Sequence, residues 1–139
     1  MAAPALFALE VHTPYRLFLS ETVSAISLTL IDGEIAVYAH HVPFTAPVIP
    51  CLLKIRSKEG NWKTAYTSEG ILEVGKNKAI LVCDDAQWPQ EIDLERAKEA
   101  KEKAENDLSE QRLKFEKKDI SVALRRANMR IRACEEHKL

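Results

Sequence analysis

A change of period at Ile92-Asp93-Leu94-Glu95-Arg96-Ala97 limits what this chain can fold into more than any other stretch. Upstream, apolar and polar residues alternate in short runs broken by turn residues. Downstream no Gly or Pro occurs before the C-terminus, and the chain is charged and alanine-rich. Asp93 is suited to cap a helix, because its carboxylate can accept from the free N–H groups of the first turn. Ile92, one residue earlier, is placed to staple against Ala97. Pro89 lacks an N–H and disfavours helix at the residue before it, so a helix starting here cannot extend backwards through it. Two unlike halves therefore meet within 86–91. The expected architecture is α+β: a β domain over 1–86 and a helical hairpin over 87–139.

In the first half Phe7, Leu9 and Val11 alternate with Ala8, Glu10 and His12, the mark of a half-buried strand. Tyr15–Leu19 reads as a second strand after Pro14, and Val23–Ile31 as a third. Asp32-Gly33 is a favoured hairpin pair, with both central residues able to take positive φ, and Glu34–Tyr38 returns. His40–Pro50 carries three prolines and reads as a loop with a short edge strand. Two further hairpins follow, Cys51–Arg56 with Trp62–Thr67, and Ile71–Val74 with Lys78–Asp84. Strands this short and this regularly punctuated indicate a sandwich or barrel, with the sheet ending near Asp85.

From Asp93 the period becomes about 3.6 residues. Leu94, Ala97, Ala100, Ala104, Leu108 and Phe115 form one narrow stripe. A turn near Glu116-Lys117-Lys118 and a cap at Asp119 would start a second helix with Ile120, Leu124, Ala127, Ile131 and Cys134 on its seam. Two helices with complementary seams read as an antiparallel hairpin, weakly docked because both seams are narrow and neither buries much.

Composition excludes several functions. A net charge of −1 provides no global attraction to nucleic acid or anionic lipid. Three cysteines without paired spacing, Cys51, Cys83 and Cys134, argue for thiols in a reducing compartment. No apolar run approaches the length of a membrane span. The N-terminus has no basic region ahead of an apolar one, so no signal peptide is evident.

Candidate chemistry is sparse. Gly70 to Lys76 matches most of a phosphate-binding loop, but Asn77 lacks the hydroxyl that would meet Mg²⁺, and Ile71–Val74 reads as strand. His40-His41 have no further ligand at metal-site spacing. No nucleophile–base set stands out, so no catalytic residue is expected. The arginines near the C-terminus are more informative. Arg126 and Arg130 flank the apolar seam of the second helix, while Arg125 and Arg132 lie on the opposite, outward face with Met129. Arg96 and Lys103 flank the seam of the first helix. Basic groups beside one seam can hold a polyanion, since guanidinium pairs well with phosphate; they can equally be solubilising flank charges. A small β-barrel that binds nucleic acid through Arg125, Arg126, Arg130 and Arg132 is the rival reading. The acidic first helix and the lack of a stacking aromatic pattern stand against it.

Several stretches together resemble the epsilon subunit of F-type ATP synthases. They are the Asp32-Gly33-Glu34-Ile35 turn, His41 and Pro43 in a Gly-His-x-Pro-like loop, Ser68–Val74 as a Gly-Gly-Ile-Leu-Glu-Val-like strand, and Ile92–Ala97 as the I/L-D-x-x-R-A motif. The resemblance spans essentially the whole chain. It implies a ten-stranded β-sandwich followed by two helices. It implies a non-catalytic central-stalk subunit on the cytoplasmic face of the bacterial cell membrane, associated with the membrane only through the complex. Its partners would be the gamma subunit, the c-subunit ring and the catalytic alpha and beta subunits, with no nucleic acid. Asp32, Gly33, Glu34, His41, Pro43, Arg125 and Arg132 would be partner contacts. The hairpin would switch between a compact form and an extended form that inhibits ATP hydrolysis. ATP, with no required cofactor, would be a regulatory ligand of the compact form, held by Ile92, Asp93, Arg96, Ala97, Arg126 and Arg130. The chain departs from the family pattern at Ala39-His40 for Pro-Gly, Glu69 for Gly, Gln87 for Glu, and Lys103 and Asp119 for Arg.

Overall fold

The computed structural model describes residues 5–110 and 114–138. Nine strands precede two helices among them: β1 (Phe7–His12), β2 (Leu17–Leu30), β3 (Gly33–Tyr38), β4 (Phe44–Val48), β5 (Cys51–Ser57), β6 (Trp62–Thr67), β7 (Gly70–Gly75), β8 (Lys78–Cys83) and β9 (Ala86–Gln87). A 3-10 turn at Pro89–Glu91 leads to α1 (Leu94–Ser109) and α2 (Lys114–Lys138).

The long strand β2 organises the sandwich. Its first part pairs antiparallel with β1, and its second part lies between β3 and β5. The two strands expected at Tyr15–Leu19 and Val23–Ile31 are thus one continuous strand, and the described residues form nine strands where the resemblance implies ten. The strand changes neighbours at Ser24, where the register against β5 shifts between Val23 and Ala25. Buried Ser24 is not orphaned there. Its hydroxyl donates to Ser57 O at 2.9 Å and accepts from Arg56 Nε at 2.8 Å. From β1 the ladder runs through β8, β7 and β4 back to β2, and from β5 through β6 to β9. Leu9, Val11, Val23, Ile26, Leu28, Leu53, Ile55, Leu72 and Leu81 fill the space enclosed, each at most 1% exposed.

Turn chemistry differs at one hairpin. The β2–β3 turn consists of Ile31 and Asp32, and Gly33 is already paired with Leu30. Gly33 alone supplies the positive φ, +134°, rather than Asp32 and Gly33 together. Pro47 is accommodated in β4, which pairs along its length with β7 and meets β2 only at Val48. The Gly70–Gly75 segment is a strand paired on both sides. Its N–H groups serve the ladder and are not gathered around an anion.

The sheet runs two residues beyond Asp85, because β9 pairs with the end of β6. This strand straddles position 86. Trp88 then stacks on Phe18 with ring centroids 4.8 Å apart. The helices are joined earlier than expected. α1 ends at Ser109 and α2 begins at Lys114, so residues 116–118 are helical and Asp119 lies inside the helix, exposed, not at its cap. The charge-rich run 114–119 misled because nothing in it breaks a helix. Phe115 on the first stripe also falls in α2, and the residues of the turn itself, 111–113, lie outside the described residues.

Gly70 has the least room of the four glycines. A Cβ there would lie 2.0 Å from Val82 O and 2.7 Å from Cys83 Cα. Both are backbone atoms, so β7 and β8 would have to part. Gly70→Ala is expected to lose about 2–3 kcal/mol, the upper part of the overpacking range, in urea unfolding. Gly75→Ala, whose Cβ would meet only Lys78 O at 3.9 Å, should lose much less.

Candidate functional site, the seam between the sandwich and the hairpin

The site is built where the first turn of α1, the second half of α2 and the edge of the sandwich meet. Asp93 caps α1 as expected: its Oδ1 accepts from Arg96 N at 3.1 Å. Its backbone carbonyl accepts from Ala97 N at 3.0 Å. Helix α2 packs against α1 and also against β5, β6 and the 3-10 turn. It therefore buries a wider arc than a single seam. Ala127 is buried, and so are Met129, Ala133 and Cys134, which join Leu52, Tyr66 and Ile92 in a second apolar cluster.

That arc changes the roles of several residues. Met129 faces the sheet, not solvent. Arg125, expected on the same outward face, donates from Nε to Pro50 O at 2.6 Å. With Met129 and Arg132 it lines a small cleft over Leu28, Thr29 and Leu52. Arg132 stays largely exposed, 3.9 Å from Glu136. Ile92 is buried in the apolar cluster. The helical period was read correctly. What a single period could not reveal is that the helix has two neighbours.

Four of the six residues expected to hold a nucleotide line one cleft of about 500 Å³: Asp93, Arg96, Ala97 and Arg130. Ala100 joins them there, exposed, in place of its expected seam position. Arg126 lies in an adjoining cleft with Tyr15, Ser68 and Asp84. Arg130 and Asp85 line both.

The guanidinium groups of α2 are already occupied. Arg126 makes a two-pronged contact with Glu69, from Nε to Oε1 at 2.9 Å and from Nη2 to Oε2. Arg130 donates from Nη2 to Asp85 Oδ2 at 3.1 Å and from Nε to Gln87 Oε1 at 2.9 Å. Its guanidinium also lies over the Tyr66 ring, 4.5 Å from the centroid. Tyr66 is fully buried, and its hydroxyl has no hydrogen-bond partner among the described residues. Burial pushes its pKa up, so the phenol stays neutral. Gln87 holds Arg130 without adding charge, which leaves the cleft less anionic than a carboxylate at that position would.

Asp85 and Tyr66 have no site role in the sequence reading, and Glu69 and Gln87 enter it only as departures from the family pattern. The signal available was indirect: two arginines one helical turn apart need counter-ions when they pack on a sheet. Arg16 was also missed. It donates to Glu91 at 2.9 Å and to Ala86 O at 3.3 Å, tying the start of β2 to the 3-10 turn. The expected partner contacts are not gathered in one place. Asp32, Gly33 and Glu34 are exposed at one end of β3, and His41 and Pro43 follow its other end. The strand's rise separates the two by roughly 17 Å. His41 Nδ1 lies 2.8 Å from Val42 O, and its ring tilts against Phe44.

Comparison with known proteins bears on this arrangement directly. Residues 6–89 match the β-sandwich domain of the ATP synthase delta/epsilon chain, and residues 90–135 match the long alpha-helix domain of the same chain. The chain belongs to the ATP synthase delta/epsilon family. The family's two domains meet between 89 and 90, at the 3-10 turn. The ATP synthase epsilon chain of Caldicellulosiruptor bescii is 42% identical over 95% of this chain and 96% of its own length. That of Caldanaerobacter subterraneus subsp. tengcongensis is 37% identical over 94% and 95%. A chain of the Euglena gracilis mitochondrial ATP synthase, from a structure of OSCP, F1 and c-ring, covers the whole of this chain and 85% of its own. Its TM-score is 0.79 at 22% identity. A chain from the central stalk and c-ring of the Tetrahymena thermophila mitochondrial ATP synthase covers 96% of this chain and 99% of its own, at 0.64 and 13%. These two solved structures share the fold of this delta/epsilon-family chain.

Two carboxylates at the seam titrate low. Burial pushes Glu69 up, but the hydrogen bonds and charge of Arg126 outweigh it, and the carboxyl sits below its ordinary 4.5. The hydrogen bond from Arg16, reinforced by Trp88 N–H, lowers Glu91 likewise. A carboxylate whose pKa is lower folded than unfolded stabilises the fold above its unfolded pKa, and that contribution is lost as pH falls through the folded value. Thermal stability is therefore expected to be flat near neutrality and to fall below about pH 4.5. Glu69→Gln and Glu91→Gln should each lower the neutral plateau and flatten the acid limb, as read by melting temperature against pH.

Proposed function

We propose that this chain is the non-catalytic epsilon-type subunit of a rotary ATP synthase central stalk. Its sandwich binds the gamma subunit and the c-subunit ring, and its hairpin regulates the catalytic alpha and beta subunits. No helix among the described residues is long and apolar enough to cross a membrane. In this reading the chain sits on the cytoplasmic face of the bacterial membrane through its complex. The exposed Asp32-Gly33-Glu34 turn and the His41–Pro43 loop serve as partner contacts, as does Arg132. Arg125 becomes available for such a contact only when α2 leaves the sandwich.

The hairpin inhibits ATP hydrolysis when extended, and ATP favours the compact form. The observation that carries this reading is the cleft shared by Asp93, Arg96, Ala97 and Arg130. It joins α1, α2 and the sheet edge, so a ligand filling it touches all three and binds the compact form preferentially. A ligand shifts such an equilibrium only by its differential affinity. Arg96 and Arg130 face the phosphates. Asp93 accepts from the adenine amino group or the ribose, because an ionised carboxylate is acceptor-only and repels phosphate. Arg126 joins only if it leaves Glu69. In this reading ATP is bound without being hydrolysed.

Two measurements test it. In the assembled enzyme, ending the chain after Glu91 keeps β9 and the 3-10 turn; ATP hydrolysis should rise with assembly intact, and unchanged hydrolysis removes the inhibitory role. In calorimetry on the isolated protein, Arg96→Ala or Arg130→Ala should weaken ATP binding by about 1.5–3 kcal/mol, the range for a charge-assisted hydrogen bond. No heat up to millimolar ATP would sink the nucleotide reading and leave the inhibitory one standing.

A further inference from the structure

Apolar burial alone gives the hairpin a slight hold on the sandwich. Its buried residues toward neighbours are small, Ala97, Ala104, Ala127 and Ala133, and Met129 is the one large aliphatic side chain that α2 places in the apolar cluster. The polar contacts are more extensive, and their sheet side is held by hydrogen bonds of its own.

Glu69 and Asp85 sit in the turns at the open end of the β7–β8 hairpin, just outside the Gly70–Cys83 pair of its ladder. The two turns are stapled together. Ser68 N donates to Asp85 O at 3.0 Å, Asp84 N donates to Glu69 O at 3.3 Å, and Asp85 N donates to Ser68 Oγ at 2.7 Å. The Asp85 carboxylate is further oriented by Ala86 N, which donates to its Oδ1 at 3.0 Å and leaves Oδ2 for Arg130. Two carboxylates are thus held side by side on a rigid edge. Opposite them, Arg126 and Arg130 are four residues apart on α2 and project from the same face. Each arginine meets one of the two carboxylates. The Arg126–Glu69 contact is two-pronged, the geometry in which guanidinium and carboxylate bind most strongly.

We propose that Glu69 is a built-in anion that, with Asp85, latches α2 onto the sandwich in the absence of any ligand. The helix is held by an intramolecular carboxylate in the place a phosphate would take on Arg126. Charged and polar groups around this contact are Ser68, Asp84, Asp85 and Tyr66 on the sandwich side and Arg130 on the helix. A phosphate-bearing ligand reaches Arg126 only by displacing Glu69, so the latch and such a ligand compete. The latch concerns the unliganded protein and holds whether or not ATP binds.

The chain carries its own reporter. Cys134 is buried where α2 meets the sheet, whereas Cys51 and Cys83 are buried in the sandwich core. The full-length protein, free of nucleotide at neutral pH, is treated with N-ethylmaleimide, and labelling of each cysteine is followed by mass spectrometry. Glu69→Gln should speed labelling of Cys134 at least about threefold, the effect of losing a part-buried ion pair, while Cys83, away from the cleft under α2, stays protected. Glu69→Arg combined with Arg126→Glu should return the rate towards wild type. Labelling of Cys134 at the wild-type rate in Glu69→Gln overturns the latch. So does a charge-swapped protein that labels as fast as Glu69→Gln, and so does parallel labelling of all three cysteines, which would mean that the sandwich itself had unfolded.

Discussion

The close approach of β7 to β8 at Gly70 is the constraint on which the functional half of the molecule depends. With no side chain at that position, the two strands meet at a distance no Cβ would tolerate. The turns that leave their open end are then near enough to hydrogen-bond to each other through Ser68, Asp84 and Asp85. That stapling fixes Glu69 and Asp85, and those carboxylates receive the arginines of α2. A glycine in a strand thus determines, through backbone packing, where a helix more than fifty residues later is anchored.

The same anchor shapes the electrostatics of the seam. Arg130 is shared among Asp85, Gln87 and the face of Tyr66, so its charge is met on three sides before any ligand is considered. Arg96 is exposed on the cleft wall. The cleft therefore contains one guanidinium already engaged and one open to solvent, with Asp85, Glu91 and Asp93 around them. An anion entering it would meet carboxylates as well as arginines. Affinity there is a balance between internal and external anions, and Gln87 tips it slightly towards the external one by binding Arg130 as a neutral amide.

The architecture was largely legible in the sequence, for local reasons. Alternation in Phe7–His12 and the Gly/Pro-free run after Asp93 are short-range patterns, and strands and helices answer to them directly. Asp93 as a cap is equally local. The misreadings share a different cause. Tyr15–Leu19 and Val23–Ile31 looked like two strands, because a polar interruption at Ser20–Thr22 resembles a turn; they are one strand whose neighbours change. The second helix begins before the charge run 114–119 ends, because charge alone does not break a helix. Met129 and Arg125 were placed outward, because a single seam was assumed for a helix that touches both α1 and the sheet.

For the site, the sequence by itself determined which groups were available: two arginines one turn apart on α2, an arginine on the first turn of α1, and a capping aspartate. Helical spacing alone puts them near a common seam. Only the tertiary structure decided what they meet. Glu69 lies 57 residues from Arg126, Asp85 lies 45 from Arg130, and no periodicity links positions so far apart. Their meeting depends on the register of β7 against β8 and on how α2 lies across β5 and β6. Those are properties of packed backbones, set when the whole chain minimises its exposed apolar surface, and no single stretch of sequence contains them.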